Sequence, residues 1–283
     1  MRFGAHLSIG RGWSALARTA RAEGMESVQA FSRSPRGGKA KAIEPADAAA
    51  MQRELEEGGI RPLIIHVPYF VNLATANPQA REYTVETLAL DVVRASELGS
   101  PYVVTHLGSA PGDRGEALNR AASAIALVLD ASARTSPVSR PVILLLENSG
   151  GGGGDVGSRL EELAYVLTSL GRGGAGRLGL CLDTCHAFVA GYDLAAEGGP
   201  ERFVDEVDRL IGLDRVKAFH LNDSQGRLGS SFDRHAAIGQ GYLGTGVFAA
   251  LNATPDFAET PGILETPEEG RLADLAALKA LRG

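Results

Sequence analysis

Short apolar runs recur along the chain, and longer amphipathic segments separate them. The runs are near-continuous rather than alternating, which is typical of parallel strands covered on both faces. They predict eight strands, at Phe3–Ser8, Ser27–Ser32, Leu63–Pro68, Tyr102–Gly108, Val142–Asn148, Leu178–Thr184, Val216–Asp223 and Gly262–Thr266. The segments between them predict helices at Gly12–Glu23, Pro45–Gly58, Glu82–Leu98, Gly115–Ala133, Ser158–Leu170, Gly199–Ile211 and Arg271–Leu281.

This alternation of strands and helices predicts an α/β fold, a (β/α)8 TIM barrel. No linker-like stretch or shift in composition divides the chain. We therefore expect residues 1–283 to form a single barrel domain.

Ionisable side chains stand where the predicted strands end. In a TIM barrel the C-terminal strand ends and the loops after them face one mouth, where active sites lie. Any one of these histidines taken alone is more often a core or loop residue, but as a set they avoid the predicted helices altogether. The side chains expected to converge, from seven of the eight strands, are His6, His66, His106, Glu147, Asp183, His186, His220 and Glu265.

Imidazoles and carboxylates are ligands for zinc, manganese or iron. Asp233 and His235, in the loop SSFDRHAAIGQG, add two candidates, because an extended Asp-Arg-His segment points both side chains the same way. A surface charge pair is the alternative for these two residues. The candidate ligands are too many for one ion and suit a cluster of two or three, an arrangement used in phosphoester hydrolysis.

Composition agrees with a globular protein that has a full core, because 44% of residues are hydrophobic and 22% are charged. No apolar stretch is long enough to span a membrane, and the N-terminus carries no signal-peptide pattern, so a cytoplasmic location is expected. The protein is also expected to be a monomer. Cys181 and Cys185 are expected to be reduced thiols; Cys185 is either a core residue or a thiolate ligand. The formal charge of −6 does not exclude a nucleic acid partner if divalent ions bind.

Several motifs together resemble the endonuclease IV family of apurinic/apyrimidinic endonucleases. The resemblance runs from GAHLS near the start to ILET near the end, and LDTCHAFVAGYD and FDRHAAIG are its most specific patterns. The other matching stretches are HVPYFVNLA, VTHLGS, LLENSGG and HLNDSQGRLGSSFDRHAAIGQG.

The resemblance implies three Zn²⁺ ions, with Mn²⁺ as an alternative at one or more sites. His66, His106 and Glu147 match ligands of a first ion. Glu147 would bridge to a second ion that Asp183, His220 and Glu265 also hold, and His186, Asp233 and His235 match the ligands of a third. The substrate it implies is duplex DNA with an abasic site, cut on the 5′ side by a metal-bound hydroxide to leave a 3′-hydroxyl, as in base excision repair. Glu147 or Glu265 would orient or deprotonate the water.

The same resemblance implies that four residues contact DNA: Arg36, Tyr69, Phe70 and His6. For the two aromatic residues the alternative is packing in the core. For His6 the alternative is a hydrogen bond to a metal ligand. Arg33, Lys39 and Lys41 extend a basic loop suited to phosphates. The chain departs from the family pattern at positions that are not ligands, and altered affinity or lesion preference is expected from them. These positions are Gly37, Gly38, Gln225, Ala236 and Gln240.

Two other functions fit parts of the sequence. A sugar isomerase or epimerase on a related barrel would need one ion, which Glu147, Asp183, His220 and Glu265 could hold, but this leaves the other candidate ligands unexplained. A non-catalytic protein that binds damaged DNA through structural zinc would use the whole set without converting the DNA to product.

Overall fold

The computed structural model describes residues 1–135, 141–174 and 176–282. Eight parallel strands close into a barrel in the order β1-β10-β7-β6-β5-β4-β3-β2, so the predicted TIM barrel is confirmed. The barrel strands are β1 Arg2–His6, β2 Ser27–Phe31, β3 Leu63–His66, β4 Tyr102–His106, β5 Ile143–Glu147, β6 Leu178–Asp183, β7 Val216–His220 and β10 Pro261–Leu264. A short antiparallel pair, β8 Asp223–Ser224 and β9 His235–Ala236, lies in the loop after β7.

Helices connect the barrel strands and cover the outside of the barrel. They are α1 Trp13–Ala22, α2 Pro45–Glu57, α3 Pro78–Glu97, α4 Arg114–Thr135, α5 Leu160–Ser169, α6 Gly171–Gly174, α7 Thr184–Ala190, α8 Gly199–Leu210, α9 Thr245–Ala253 and α10 Arg271–Ala280. All seven predicted helices are present. α3 begins at Pro78 rather than Glu82, because the Asn77 side chain caps the helix by accepting a hydrogen bond from the Ala80 N–H.

Sequence periodicity missed α6, α7 and α9, and the omission of α7 made one prediction wrong. His186 lies inside α7, so the expectation that no histidine is helical was wrong. α7 is only seven residues long and follows β6 without a loop, which leaves too little sequence for a helical period to be visible.

Directly below the mouth, the inside of the barrel is a buried apolar layer. Six fully buried side chains, one from each of six strands, form it: Ile64, Val104, Leu145, Cys181, Ala218 and Ile263. Inward-facing positions recur every second residue along a strand. The next inward position on each of these strands is therefore occupied by His66, His106, Glu147, Asp183, His220 or Glu265, which places the ionisable layer on an apolar floor.

Candidate metal centre

The strand ends predicted to carry the site do converge at one mouth. Six barrel strands end on an ionisable residue, and Glu265 follows the last residue of β10. The six residues are His6, His66, His106, Glu147, Asp183 and His220. Groups of their imidazole nitrogens and carboxylate oxygens lie within 4.8 Å of one another, close enough for a metal ion to be held between them.

Glu147 stands at the centre of the cluster. Its Oε2 lies 3.1 Å from His66 Nε2 and 3.2 Å from His106 Nε2. Its Oε1 lies 2.8 Å from His220 Nδ1 and 3.4 Å from His186 Nδ1. The two oxygens of one buried carboxylate therefore face different sets of histidines, which is the arrangement that a carboxylate bridging two ions requires.

A second group lies on the other side of Glu147 and combines it with Asp183, His220 and Glu265. His220 Nδ1 lies 3.4 Å from Glu265 Oε2 and 3.9 Å from Asp183 Oδ2. This group shares Glu147 with the group His66, His106 and Glu147, and the two ligand sets that the family resemblance implies have the same residue in common.

The third predicted set consists of His186 in α7, Asp233 in the loop before β9, and His235 in β9 itself. His186 Nε2 lies 3.2 Å from Asp233 Oδ2, and His235 Nε2 lies 3.5 Å from Asp233 Oδ1. Asp183 caps α7 by accepting a hydrogen bond from the His186 N–H, so the cap also sets the position of this histidine. Two groups here have ligand atoms that all lie within 4.8 Å of one another: Asp183, His186 and His235, and Cys185, Asp233 and His235. On distance alone, the alternative of a thiolate ligand at Cys185 therefore stays open.

The protonation of the cluster fits residues arranged around cations. Despite the opposing effect of burial, Asp183, Asp233 and Glu147 raise the pKa of His186 well above its ordinary value. For Glu147, burial acts to raise the pKa, but the neighbouring His106 and His220 hold this pKa well below its usual range. Buried His235 Nε2 has no hydrogen-bond partner among the described residues. An orphaned imidazole nitrogen facing a carboxylate matches a metal ligand better than a core residue.

Burial raises the pKa of the Cys185 thiol to about 12, as does the neighbouring Asp183 carboxylate. Its Sγ lies 3.8 Å from the Arg234 carbonyl oxygen and 4.0 Å from Asp233 Oδ1. A protonated thiol that donates to these oxygens explains the position of Cys185 without making it a ligand.

A cavity of about 290 Å³ opens above the cluster, at the small end of the range for ligand sites. Glu265, His106 and Asp233 line it, together with Tyr69 and Asp155, whereas Glu147 does not reach its wall. The cluster is therefore accessible from the mouth through some of its members, while Glu147 stays buried beneath them.

Comparisons with known proteins agree with this geometry. Residues 17–282 match the profile of the xylose isomerase-like TIM barrel family. A probable endonuclease 4 from Chloroflexus aurantiacus strain J-10-fl is 41% identical over 285 residues, which cover 99% of this chain and 98% of the relative. The chain belongs to the endonuclease IV family.

Solved structures give the same assignment. Endonuclease IV from Thermus thermophilus superposes with a TM-score of 0.87 at 38% identity, covering 99% of this chain and 98% of that one. Another protein of the same organism, from a crystal soaked with ZnCl₂, gives a TM-score of 0.63 at 28% identity, covering 99% and 98% of the two chains. In the described part of the chain, no helix is both long enough and apolar enough to cross a membrane.

The residues that the endonuclease IV resemblance assigns to DNA contacts lie at the mouth but in different environments. Arg36 is exposed in the loop after β2. Tyr69 is 72% exposed and lines the cavity, whereas the Phe70 ring is half-buried, 5.8 Å from the ring of Tyr83. A Cβ on Gly37 would lie 3.7 Å from the Phe70 ring, so Phe70 supports the backbone of the Arg36 loop.

The prediction that Arg33 belongs to a basic loop suited to phosphates was wrong. It is buried, and its Nε donates to Asp91 Oδ1 at 2.9 Å. An arginine in a buried ion pair is not available to phosphates, so only the exposed members of that loop can serve this purpose.

Two uncharged side chains that form hydrogen bonds with the proposed ligands were not predicted from the sequence. Asn148 accepts from the Asp183 N–H at 2.7 Å and donates to the Asp183 carbonyl at 3.0 Å. Asn222 donates to Asp183 Oδ2 at 2.7 Å and accepts from the Glu265 N–H at 2.9 Å. Both follow a predicted ligand directly or closely, in LLEN and HLND, which is the signal that could have identified them.

Proposed function

We propose that this protein is a zinc-dependent apurinic/apyrimidinic endonuclease of base excision repair, which cuts duplex DNA on the 5′ side of an abasic site and leaves a 3′-hydroxyl. Membership of the endonuclease IV family supports the coarser part, a DNA endonuclease that hydrolyses phosphodiester bonds. The observation that carries the proposal is Glu147, whose two oxygens face different histidine sets within one buried cluster.

Three ions would be held by three groups of side chains. The first ion would be held by His66, His106 and Glu147. The second would be held by Asp183, His220 and Glu265, again together with Glu147. The third would be held by His186, Asp233 and His235. The solved structure of a related protein from a crystal soaked with ZnCl₂ supports zinc as the metal. When bound, such ions neutralise charge on the phosphate and lower the pKa of a hydrolytic water.

Backbone carbonyl oxygens set the orientation of two of the proposed ligands. His66 Nδ1 donates to the Val67 carbonyl oxygen at 2.7 Å, which leaves Nε2 as the ligand atom. His186 Nδ1 donates to the Asn148 carbonyl oxygen at 3.0 Å, with the same result. Hydrogen bonds of this kind select the tautomer of a metal-binding histidine and hold its ring in place.

Glu265 is the better of the two glutamates for orienting the attacking water. It lines the cavity and its side chain is 14% exposed, whereas the Glu147 carboxylate is enclosed by histidines. Burial would raise the pKa of Glu265, but His220 and the other nearby histidines hold it at about 2. Glu265 therefore stays ionised and accepts a hydrogen bond from the water.

DNA would approach the mouth of the barrel, where Tyr69 is an exposed aromatic side chain and Arg36 is an exposed cation. An aromatic ring can stack in the gap that a missing base leaves, and bending of the duplex would bring the abasic sugar towards the cavity. His6 is less exposed and lies beside the metal cluster, with its Nδ1 3.8 Å from Glu265 Oε1 and its ring centroid 4.4 Å from that of Phe31. We assign it to the support of the ligands rather than to direct contact with DNA.

The isomerase alternative uses Glu147, Asp183, His220 and Glu265 with one ion. It does not explain why His66, His106, His186, Asp233 and His235 converge on the same mouth. The non-catalytic alternative requires the same ions and differs only in the fate of the DNA.

The test combines metal analysis with incision of a duplex that carries one abasic site, beside an intact duplex of the same sequence. We expect close to three zinc ions per chain and nicking of the abasic duplex alone. Glu265→Gln should lower the rate of incision strongly, whereas Glu259→Gln, at an exposed glutamate that pairs with Arg2, should not change it. A single ion without incision, or tight binding that never yields product, would reject the proposal.

A further inference from the structure

Gln29 is a fully buried amide on β2, the barrel strand that contributes no ionisable side chain to the mouth. The register of the sheet places it beside His6 of β1 and Ile64 of β3. Its side chain reaches into the metal cluster, where its polar atoms are hydrogen-bonded to three other side chains. These partners are His220, Glu265 and His6.

The chemistry of these partners fixes how the amide is oriented. Gln29 Nε2 lies 2.8 Å from Glu265 Oε1, and an ionised carboxylate can only accept a hydrogen bond. The nitrogen must therefore face Glu265, which turns Gln29 Oε1 towards His220 Nε2 at 2.9 Å. The second N–H of the amide lies towards His6 Nδ1 at 3.1 Å.

This orientation sets the tautomer of His220. Because Gln29 Oε1 can only accept, His220 Nε2 must carry a proton. The lone pair of a neutral ring is then on Nδ1, which is the atom that faces Glu147 Oε1 at 2.8 Å and Glu265 Oε2 at 3.4 Å. His220 is thereby presented to the cluster through Nδ1, the opposite nitrogen from that of His66 and His186.

The same amide holds Glu265 and His6. With Oε1 of Glu265 bound to Gln29, Oε2 is the oxygen left nearest to His220 Nδ1. His6 Nδ1 accepts from Gln29, so the proton of a neutral His6 ring is on Nε2. One side chain thus aligns two ligands of one ion and a histidine beside them.

We propose that Gln29 is a positioning residue of the metal centre, which selects the Nδ1 atom of His220 as a ligand and turns the Glu265 carboxylate towards the ion that both residues hold. The inference rests on the proposed function only in that it requires this ion to bind. Loss of a hydrogen-bonding partner behind a ligand typically weakens metal affinity about 10–100-fold, and we expect a decrease of this size at one ion only.

Gln29→Met tests the proposal, because methionine keeps the length and the apolar part of the side chain without the amide. Zinc affinity is measured by competition with a chromophoric chelator, and folding of the metal-free variant is measured by circular dichroism. Ser27→Ala is the matched control. Ser27 is fully buried on the same strand, but its hydroxyl donates to the Arg2 carbonyl at the far end of the barrel.

The expected result is that Gln29→Met holds one ion about 10–100-fold more weakly and the remaining ions normally, while Ser27→Ala matches the wild type. The histidine ¹⁵N spectrum of the zinc-loaded protein adds a readout that packing alone would not change. In the wild type, His220 should be protonated on Nε2, and in Gln29→Met this proton should lose its protection from exchange. If Gln29→Met is poorly folded, Gln29→Leu provides the same comparison.

The outcomes separate the inference from the proposed function. A wild type that binds no divalent ions contradicts the metal centre itself. A wild type that binds its ions contradicts the role of Gln29 alone in two cases: if its His220 proton lies on Nδ1, or if a folded Gln29→Met binds the ions equally well.

Discussion

Replacing Asp91 with asparagine should both destabilise the protein and weaken its hold on DNA. Asp91 is fully buried on α3, where it accepts hydrogen bonds from Ser32 and Arg33. Arg94, one turn further along α3, donates to the Ser32 carbonyl and to the Lys41 carbonyl. α3 therefore holds both ends of the loop 33–41, which carries Arg36.

The size of the effect follows from charge rather than shape, because Asp91→Asn nearly keeps the volume while it removes the negative charge and replaces one acceptor oxygen with an NH2 donor. Two charges about 4 Å apart attract by about 4 kcal/mol at an effective dielectric constant of 20. Removing one partner of a buried ion pair costs about 3–5 kcal/mol, since the other charge is left without compensation. Arg33 and Arg94, both 7% exposed, would be left in this state.

Urea unfolding of the wild type and the variant measures this free energy, and titration of a labelled abasic duplex measures the affinity. Glu54→Gln is the control, because Glu54 pairs with Arg21 at 3.2 Å on the surface, where such pairs contribute about 0–1 kcal/mol. If Asp91→Asn costs no more than Glu54→Gln, α3 does not hold the loop through this ion pair. If stability falls but DNA affinity does not, the loop does not contact the duplex.

Three further predictions concern the mouth of the barrel. Arg36→Ala should weaken the binding of abasic and intact duplexes alike. The slope of log affinity against log salt concentration should decrease by about 0.9, because one phosphate contact is lost. An unchanged slope would show that Arg36 does not contact a phosphate. Tyr69→Ala should raise KM for the abasic duplex without lowering the melting temperature of the protein. Phe70→Ala should lower the melting temperature, because of the two rings only that of Phe70 packs against the hydrophobic core. Equal effects of the two variants on KM and melting temperature would contradict this difference in role. Zinc loading at pH 7 should release about two protons, because the pKa values of His186 and His220 are raised above their ordinary range in the metal-free protein and zinc needs neutral rings. Burial opposes both shifts, and the rise comes from nearby carboxylates at His186 and from Cys181 and nearby carboxylates at His220. Calorimetry in buffers of different ionisation enthalpy measures this number, the affinity should fall as the pH is lowered, and release of no protons would contradict the raised pKa values.

The barrel and most of the cluster could be predicted from the sequence, because both depend on local periodicity. Inward positions recur every second residue, so His66 follows Ile64 and Glu147 follows Leu145 at the same inward face. Parallel strands in a barrel then bring their C-terminal ends to one mouth whatever their exact register. Most of the family motifs likewise lie beside a strand end that can be recognised in the sequence, whereas FDRHAAIG lies in a loop, where the resemblance and not a strand end assigned Asp233 and His235.

Contacts between distant parts of the chain were visible only in the folded structure. Arg33 and Arg36 are alike in sequence, yet Arg33 is buried because Asp91 of α3 lies beside it. Gln29 looks like an ordinary strand residue, and only the register of β2 with β1 and β3 brings its amide to His220 and Glu265. These contacts join residues 58 to 236 positions apart, and no pattern within a short window of sequence can reveal such pairings.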